Sequence, residues 1–231
     1  MNEKICRGLI VSCQAPPDSP LYAPEVIAAM AGAAIARGAV GLRIDTPAHV
    51  AAVRELVGAE VPIIGLWKVA LEDYSVYITP EFEQAAAIAA AGADIIAIDA
   101  TQRNRPEPVA TLIERIHNEL AKPVMADIDT IEAAIAAANA GADVVGTTLY
   151  GYTRETESQS PPGFDLLAEM VGKLSVPAIC EGGIASPAMA TKALQLGAIA
   201  VVVGTDITGI DKKVEAYQKA ILDTIAGSAA K

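Results

Sequence analysis

The chain has 231 residues, 52% of them hydrophobic but only 4% aromatic, and a formal net charge of −11 at pH 7. That charge argues against general nucleic-acid binding, which needs a basic surface, but allows a small phosphorylated ligand held by a local cation. The length suits one domain, expected over 1–231. A bulk made of alanine and small aliphatics favours helices packed closely on strands over an all-β sandwich.

Residues 1–6 lack the apolar stretch of a signal peptide, and no apolar run reaches the ~20 residues of a membrane span. A soluble, cytoplasmic protein is therefore expected. An apolar strand pattern at 9–14 is followed by a helical one at 24–37. Strand 40–45, helix 47–57 and strand 62–68 come next, then helix 80–91, strand 95–101 and helix 106–120. The alternation continues with strand 123–128, helix 130–140 and strands 144–149 and 177–182, then helix 187–196 and strand 200–204. Each strand reads as a near-continuous apolar run, as parallel strands covered on both faces do. Proline opens several helices, and glycine ends several of them. Gly38-Ala39, Gly92-Ala93, Gly141-Ala142 and Gly197-Ala198 mark a repeated helix-to-strand join. Eight such units predict an α/β fold, a single (β/α)8 TIM barrel. The alternative, a doubly wound open sheet, lacks its Gly-x-Gly-x-x-Gly turn after the first strand. The tail 227–231 is expected to fray.

Cys6, Cys13 and Cys180 lie in apolar runs with neither a disulfide framework nor metal-ligand spacing, so buried free thiols are expected. His49 and His117 fall in helices and read as packing or surface residues. Trp67 points outward under a helix by strand alternation. No zinc-ligand cluster and no Walker-type loop occurs.

The active face of such a barrel is built from strand C-termini and the loops after them. The sequence places Gln14, Arg43, Asp45, Lys68, Asp99, Thr101, Asp127, Thr147, Thr148, Tyr152 and Glu181 there. Lys68 and Glu181 close two different apolar runs, where an unpartnered charge costs desolvation energy. They are the candidate acid-base pair; the others are candidates for sugar contacts or for hydrogen-bonded layers inside the barrel. Gly182-Gly183 and Gly204-Thr205, after the last two strands, are candidate phosphate turns.

Ser12-Cys13-Gln14, Ala39 to Arg43, Pro62 to Gly65 leading to Lys68, and Gly92 to Asp99 all resemble the N-acetylmannosamine-6-phosphate 2-epimerase family. Met125-Ala126-Asp127 and Gly146-Thr147-Thr148-Leu149-Tyr150-Gly151-Tyr152-Thr153 extend the resemblance over nearly the whole chain. The resemblance implies Lys68 and Glu181 as catalytic residues, Gln14, Arg43, Asp127 and Tyr152 as sugar-binding, and Gly182, Gly183, Gly204 and Thr205 as phosphate-binding. It further implies an isomerase of sialic-acid breakdown that needs no metal or organic cofactor, works on a small amino-sugar phosphate, and forms a homodimer.

Two departures stand out. Val69 and Ala70 replace an arginine and an aspartate that usually follow the family lysine. Gly209 stands where the family places a phosphate-binding arginine, and Asp206 adds a nearby acid. Lys212 or Lys213 is the candidate substitute; an unphosphorylated or differently decorated amino sugar is the other reading of the same change. A Schiff-base role for Lys68 and a non-catalytic sugar-binding homologue are the competing functions.

Overall fold

The computed structural model describes residues 7–229, and in them eight parallel strands close into a barrel in sequence order. The first half comprises β1 (Gly8–Cys13), α1 (Pro24–Ala36), β2 (Gly41–Asp45), α2 (Pro47–Val57), β3 (Ile63–Leu66), α3 (Phe82–Ala90), β4 (Ile95–Asp99) and α4 (Val109–Leu120). The second comprises β5 (Val124–Asp127), α5 (Ile131–Asn139), β6 (Val144–Gly146), α6 (Phe164–Lys173), β7 (Ala178–Cys180), α7 (Pro187–Gln195) and β8 (Ala200–Val203). Two further helices, α8 (Thr205–Thr208) and α9 (Ile210–Ala229), follow. Pairing of Gly8 with Ala200 through Val11 with Val203 closes the ring. This is the expected (β/α)8 barrel.

The repeated joins explain the regularity. Gly38, Gly92, Gly141 and Gly197 all have φ between 95° and 107°, and the alanine after each donates its N–H back to a carbonyl of the last helical turn. That bond closes the helix and aims the chain at the next strand. Asp94 N–H then reaches Ile63 O at 2.9 Å, and Asp143 N–H reaches Val124 O at 3.0 Å, setting register with the preceding strand.

Several boundaries differ from expectation. Pro24, Pro47 and Pro187 do open their helices, but Pro80 and Pro106 lie ahead of theirs. Helix α3 starts instead from a reciprocal cap between Glu81 and Gln84. Helices α6 and α9 were not among the expected segments; α6 follows a long polar loop that hides its short buried stripe of Leu166, Leu167 and Met170. The chain expected to fray from Gly227 remains helical through Ala229, while Ala230, Lys231 and Cys6 lie outside the described residues.

Strand alternation divides the interior in two. One apolar layer, including Leu42, Ile44, Ile96 and Val201, lies between strands and helices. The other, including Ile10, Ile64, Ile95, Met125, Ile179 and Val202, plugs the barrel itself. Two residues beyond Ile10, Met125 and Ile179 of that plug come Ser12, Asp127 and Glu181. The plug keeps water from below, so this polar layer is desolvated on its floor. Cys13 and Cys180 are buried free thiols, and burial pushes them up to about 12 and about 11.

Candidate active site

Strand β3 ends at Leu66, so Lys68 does not lie in the strand as expected. It forms an isolated antiparallel bridge with Ile78, flanked by Val69 N–H to Tyr77 O at 2.9 Å and Thr79 N–H to Trp67 O at 2.8 Å. Its own N–H donates to Asp45 Oδ1 at 3.0 Å. The loop after β3 thus folds back on itself and presents the lysine to the barrel mouth. The Lys68 ammonium donates to Gln14 Oε1 and lies 3.9 Å from Asp45 Oδ2; Gln14 is itself held by its Nε2 donating to Ser12 Oγ at 2.8 Å.

Glu181 is the first residue after β7. Thr147 fixes its backbone from both sides, accepting from Glu181 N–H at 3.1 Å and donating to Glu181 O at 2.9 Å. Its carboxylate meets Arg43 Nε at 3.0 Å and Thr148 Oγ1 at 3.3 Å. Arg43 also grips Asp127 with two parallel bonds, at 3.2 and 2.6 Å, and Thr148 donates to Asp127 at 2.6 Å. Arg43 and Asp127 side chains are 2% and 0% exposed.

Lys68, Glu181, Arg43, Gln14, Tyr152, Gly182, Gly183, Gly204 and Thr205 all line one cavity of about 580 Å³ at the barrel mouth. Asp127 does not: it reaches the cavity only through Arg43 and Thr148. Tyr152, 57% exposed, stands at the rim. A second lobe of about 470 Å³ opens beside the first, sharing Gln14 and Lys68 and walled by Tyr22 and Trp67. Trp67 also packs on the outer apolar layer, as expected.

Burial raises Glu181 to about 7, and the nearby negative charge of Asp127 adds to the rise against the opposing pull of Arg43, Lys68 and Thr148. Desolvation lowers Lys68, as does Arg43, against the pull of Asp45 and Glu181. The Lys68 side chain is 43% accessible and lines both lobes of the cavity. Burial opposes the charge on Arg43, yet Asp127 and Glu181 outweigh it and keep the guanidinium ionised. The two candidate catalytic groups are thus drawn toward each other in acidity, the condition for a proton donor and acceptor working near neutrality.

The "Putative N-acetylmannosamine-6-phosphate epimerase" family matches residues 27–223. A protein of Thermosynechococcus vestitus named "Putative N-acetylmannosamine-6-phosphate 2-epimerase" is 68% identical over 94% of this chain and 95% of its own length. One of the same name from Escherichia fergusonii is 46% identical over 96% and 95%. The solved N-acetylmannosamine-6-phosphate 2-epimerase of Clostridium perfringens superposes with a TM-score of 0.87 at 37% identity, covering 92% of each chain. The chain belongs to the N-acetylmannosamine-6-phosphate epimerase family.

Against that family background, other candidates fall outside the cavity. Asp99 is fully buried and receives Arg103 Nη2 at 2.6 Å and Thr101 Oγ1 at 2.7 Å, anchoring the loop after β4. His49 is buried between the carbonyls of Asp45 and Tyr22, at 3.1 and 2.6 Å, and His117 meets Asp143 at 2.9 Å. Both histidines pack helices, as expected. Sequence reasoning gave no role to Ser12, which holds Gln14, or to Tyr77, whose side chain helps line the epimerase-family cavity. Tyr77 comes there by the fold-back that bridges Ile78 to Lys68, although the run Val76-Tyr77-Ile78-Thr79 is itself one of those that resemble the family.

Proposed function

We propose that this chain, acting as one catalytic domain, interconverts N-acetylmannosamine 6-phosphate and N-acetylglucosamine 6-phosphate by moving the proton on C2. The observation that carries this reading is the placing of Lys68 and Glu181 in one cavity, with the acidity of one raised and of the other lowered.

The chemistry sets the demands. C2 of a closed sugar ring is too weakly acidic to deprotonate, but in the open-chain aldehyde it is the α-carbon of a carbonyl. Removing its proton leaves a planar enediol-like intermediate, and returning a proton from the opposite face inverts the centre. That takes one group able to accept and one able to donate, on opposite sides of the plane. Lys68 and Glu181 take these roles and exchange them with direction. After one turnover the pair holds the same single proton on the other partner, ready for the reverse reaction.

Arg43, Thr147 and Thr148 orient Glu181, and Asp127 fixes Arg43. Gln14 and Asp45 do the same for Lys68, and Gln14 and Tyr152 contact the sugar. Gly182, Gly183, Gly204 and Thr205 receive the phosphate end. Gly182 and Gly183 adopt φ of 95° and 70°, and a side chain at Gly183 would meet Pro161 at 2.5 Å, so this turn is held to glycine.

The enzyme is read as a cytoplasmic homodimer. Free buried thiols fit a reducing compartment, and no helix among the described residues is long and apolar enough to cross a membrane. Helix α9 leaves Ile210, Val214, Tyr217, Ile221, Leu222 and Ile225 each more than half exposed, an apolar stripe that a second copy would cover.

Proton NMR in D₂O tests the function. The enzyme is expected to bring deuterium into C2 of N-acetylmannosamine 6-phosphate while the gluco epimer grows in. Binding of the sugar phosphate without exchange would sink the enzyme reading, and a borohydride-trapped adduct on Lys68 would replace it with a Schiff-base mechanism.

A further inference from the structure

A phosphorylated substrate carries a dianion into a protein of net charge −11, so the cavity must supply a local cation that is not already committed. Four basic residues line the main cavity: Arg43, Lys68, Lys212 and Lys213. Arg43 is closed on Asp127 and Glu181, and Lys68 is held by Gln14 and Asp45 beside the reacting carbon's place. Lys213 is paired with Asp206, which cancels the acid that entered this turn. Lys212 is left. It is exposed, has no ion pair or side-chain hydrogen bond among the described residues, and lines both the main cavity and its neighbouring lobe.

Lys212 stands at the start of α9, lining both lobes together with Gly204 and Thr205 at the end of β8. Position 209 cannot supply a cation in this backbone. A Cβ on Gly209 would lie 2.7 Å from Thr205 Cα and 2.8 Å from Thr205 O, both main-chain atoms that cannot swing aside. The turn between α8 and α9 is therefore built tight around glycine, and the first free cation after it is Lys212.

We infer that Lys212 is the residue that recognises the substrate's phosphate, with Lys213 serving to neutralise Asp206 rather than to bind. This rests on the epimerase reading only for the identity of the sugar; the claim itself concerns an anion in the cavity. Lys212 is a specificity-determining residue: it acts on the phosphate and takes no part in the proton transfer, so it selects phosphorylated over unphosphorylated amino sugar.

The test compares wild type, Lys212→Ala and Lys212→Arg on N-acetylmannosamine 6-phosphate and on N-acetylmannosamine, with inorganic phosphate as competitor. Loss of a charge-assisted contact of this kind is expected to raise KM for the phosphorylated sugar and Ki for inorganic phosphate by about 10- to 100-fold. kcat should move far less, and Lys212→Arg should recover most of the loss. The preference for the phosphorylated sugar should collapse in Lys212→Ala. Unaltered KM and Ki in that variant would overturn the assignment, as would a larger loss in Lys213→Ala. If wild type turns over neither sugar, the epimerase reading fails on its own. Binding of inorganic phosphate, followed by ³¹P NMR with and without the Lys212 change, then still decides the role of this lysine.

Discussion

The guanidinium of Arg43 lies 3.0 Å from the carboxylate of Glu181 through Nε while its two terminal nitrogens are closed on Asp127. One buried cation therefore serves two carboxylates, and Asp127, with no surface of its own, acts on the site only through it and Thr148. This makes Arg43 a support for Glu181 first and a surface of the cavity second.

Removing that support has two expected effects. Arg43→Met leaves Asp127 buried and unpaired, which should cost about 3–5 kcal/mol of stability. The double variant Arg43→Met with Asp127→Leu should regain much of this, because both charges are then gone. Denaturant unfolding of the two variants reads the difference; equal destabilisation in both would mean the pair contributes by shape rather than charge.

The two proposed proton-transfer groups can be separated by what remains when one is lost. Lys68→Met and Glu181→Gln should each lower epimerisation by roughly 10²–10⁴-fold or more. With one group intact, the epimer whose C2 proton faces it can still exchange with solvent without inverting. In D₂O, each variant should then wash deuterium into a different epimer. Exchange into both epimers by either single variant would argue for one base working on both faces.

Turnover in either direction needs one proton shared by the pair, so kcat/KM for the two epimers should trace the same bell-shaped pH profile. The acid limb belongs to Glu181 and should fall at about 7; the alkaline limb belongs to Lys68 and should lie below its ordinary 10.5. Thr148 favours the carboxylate form, so Thr148→Val should move the acid limb upward. Stability follows the opposite sense to a salt-bridged acid. The folded state holds the Glu181 proton up to about 7 against 4.5 for the free group, so this contribution is full below 4.5 and lost as pH rises through 7. Glu181→Gln should flatten the stability curve across that window.

The barrel was legible because its signals are local. Gly-Ala joins, apolar runs and helix-opening prolines each follow from a few neighbouring residues, and they located all eight strands. Most of the candidate site residues line one cavity, but their wiring was not legible. Lys68 was expected to end a strand, whereas it sits in a bridge made by Ile78, ten residues on. Asp127 was expected to touch sugar, whereas Arg43, 84 residues away in sequence, encloses it. Pairings over such separations depend on barrel register, which composition and periodicity do not encode. The choice between Lys212 and Lys213 likewise needed the partner of Asp206.

Helix α9 offers the last test, because its apolar residues recur at helical spacing yet face outward. Val214, Tyr217 and Ile221 lie along one stripe and are 61%, 72% and 53% exposed. Burying an Ile or Val side chain from water is worth about 1.5–3 kcal/mol, so covering several of these with a second copy offsets part of the entropy lost on association. Ile221→Glu would place a charge in that contact and should turn a dimer into a monomer in sedimentation or light scattering. Since α9 begins with the turn that carries Lys212, the monomer should also show a raised KM for the phosphorylated sugar. A variant that stays dimeric, or a wild type already monomeric, would remove α9 from the interface.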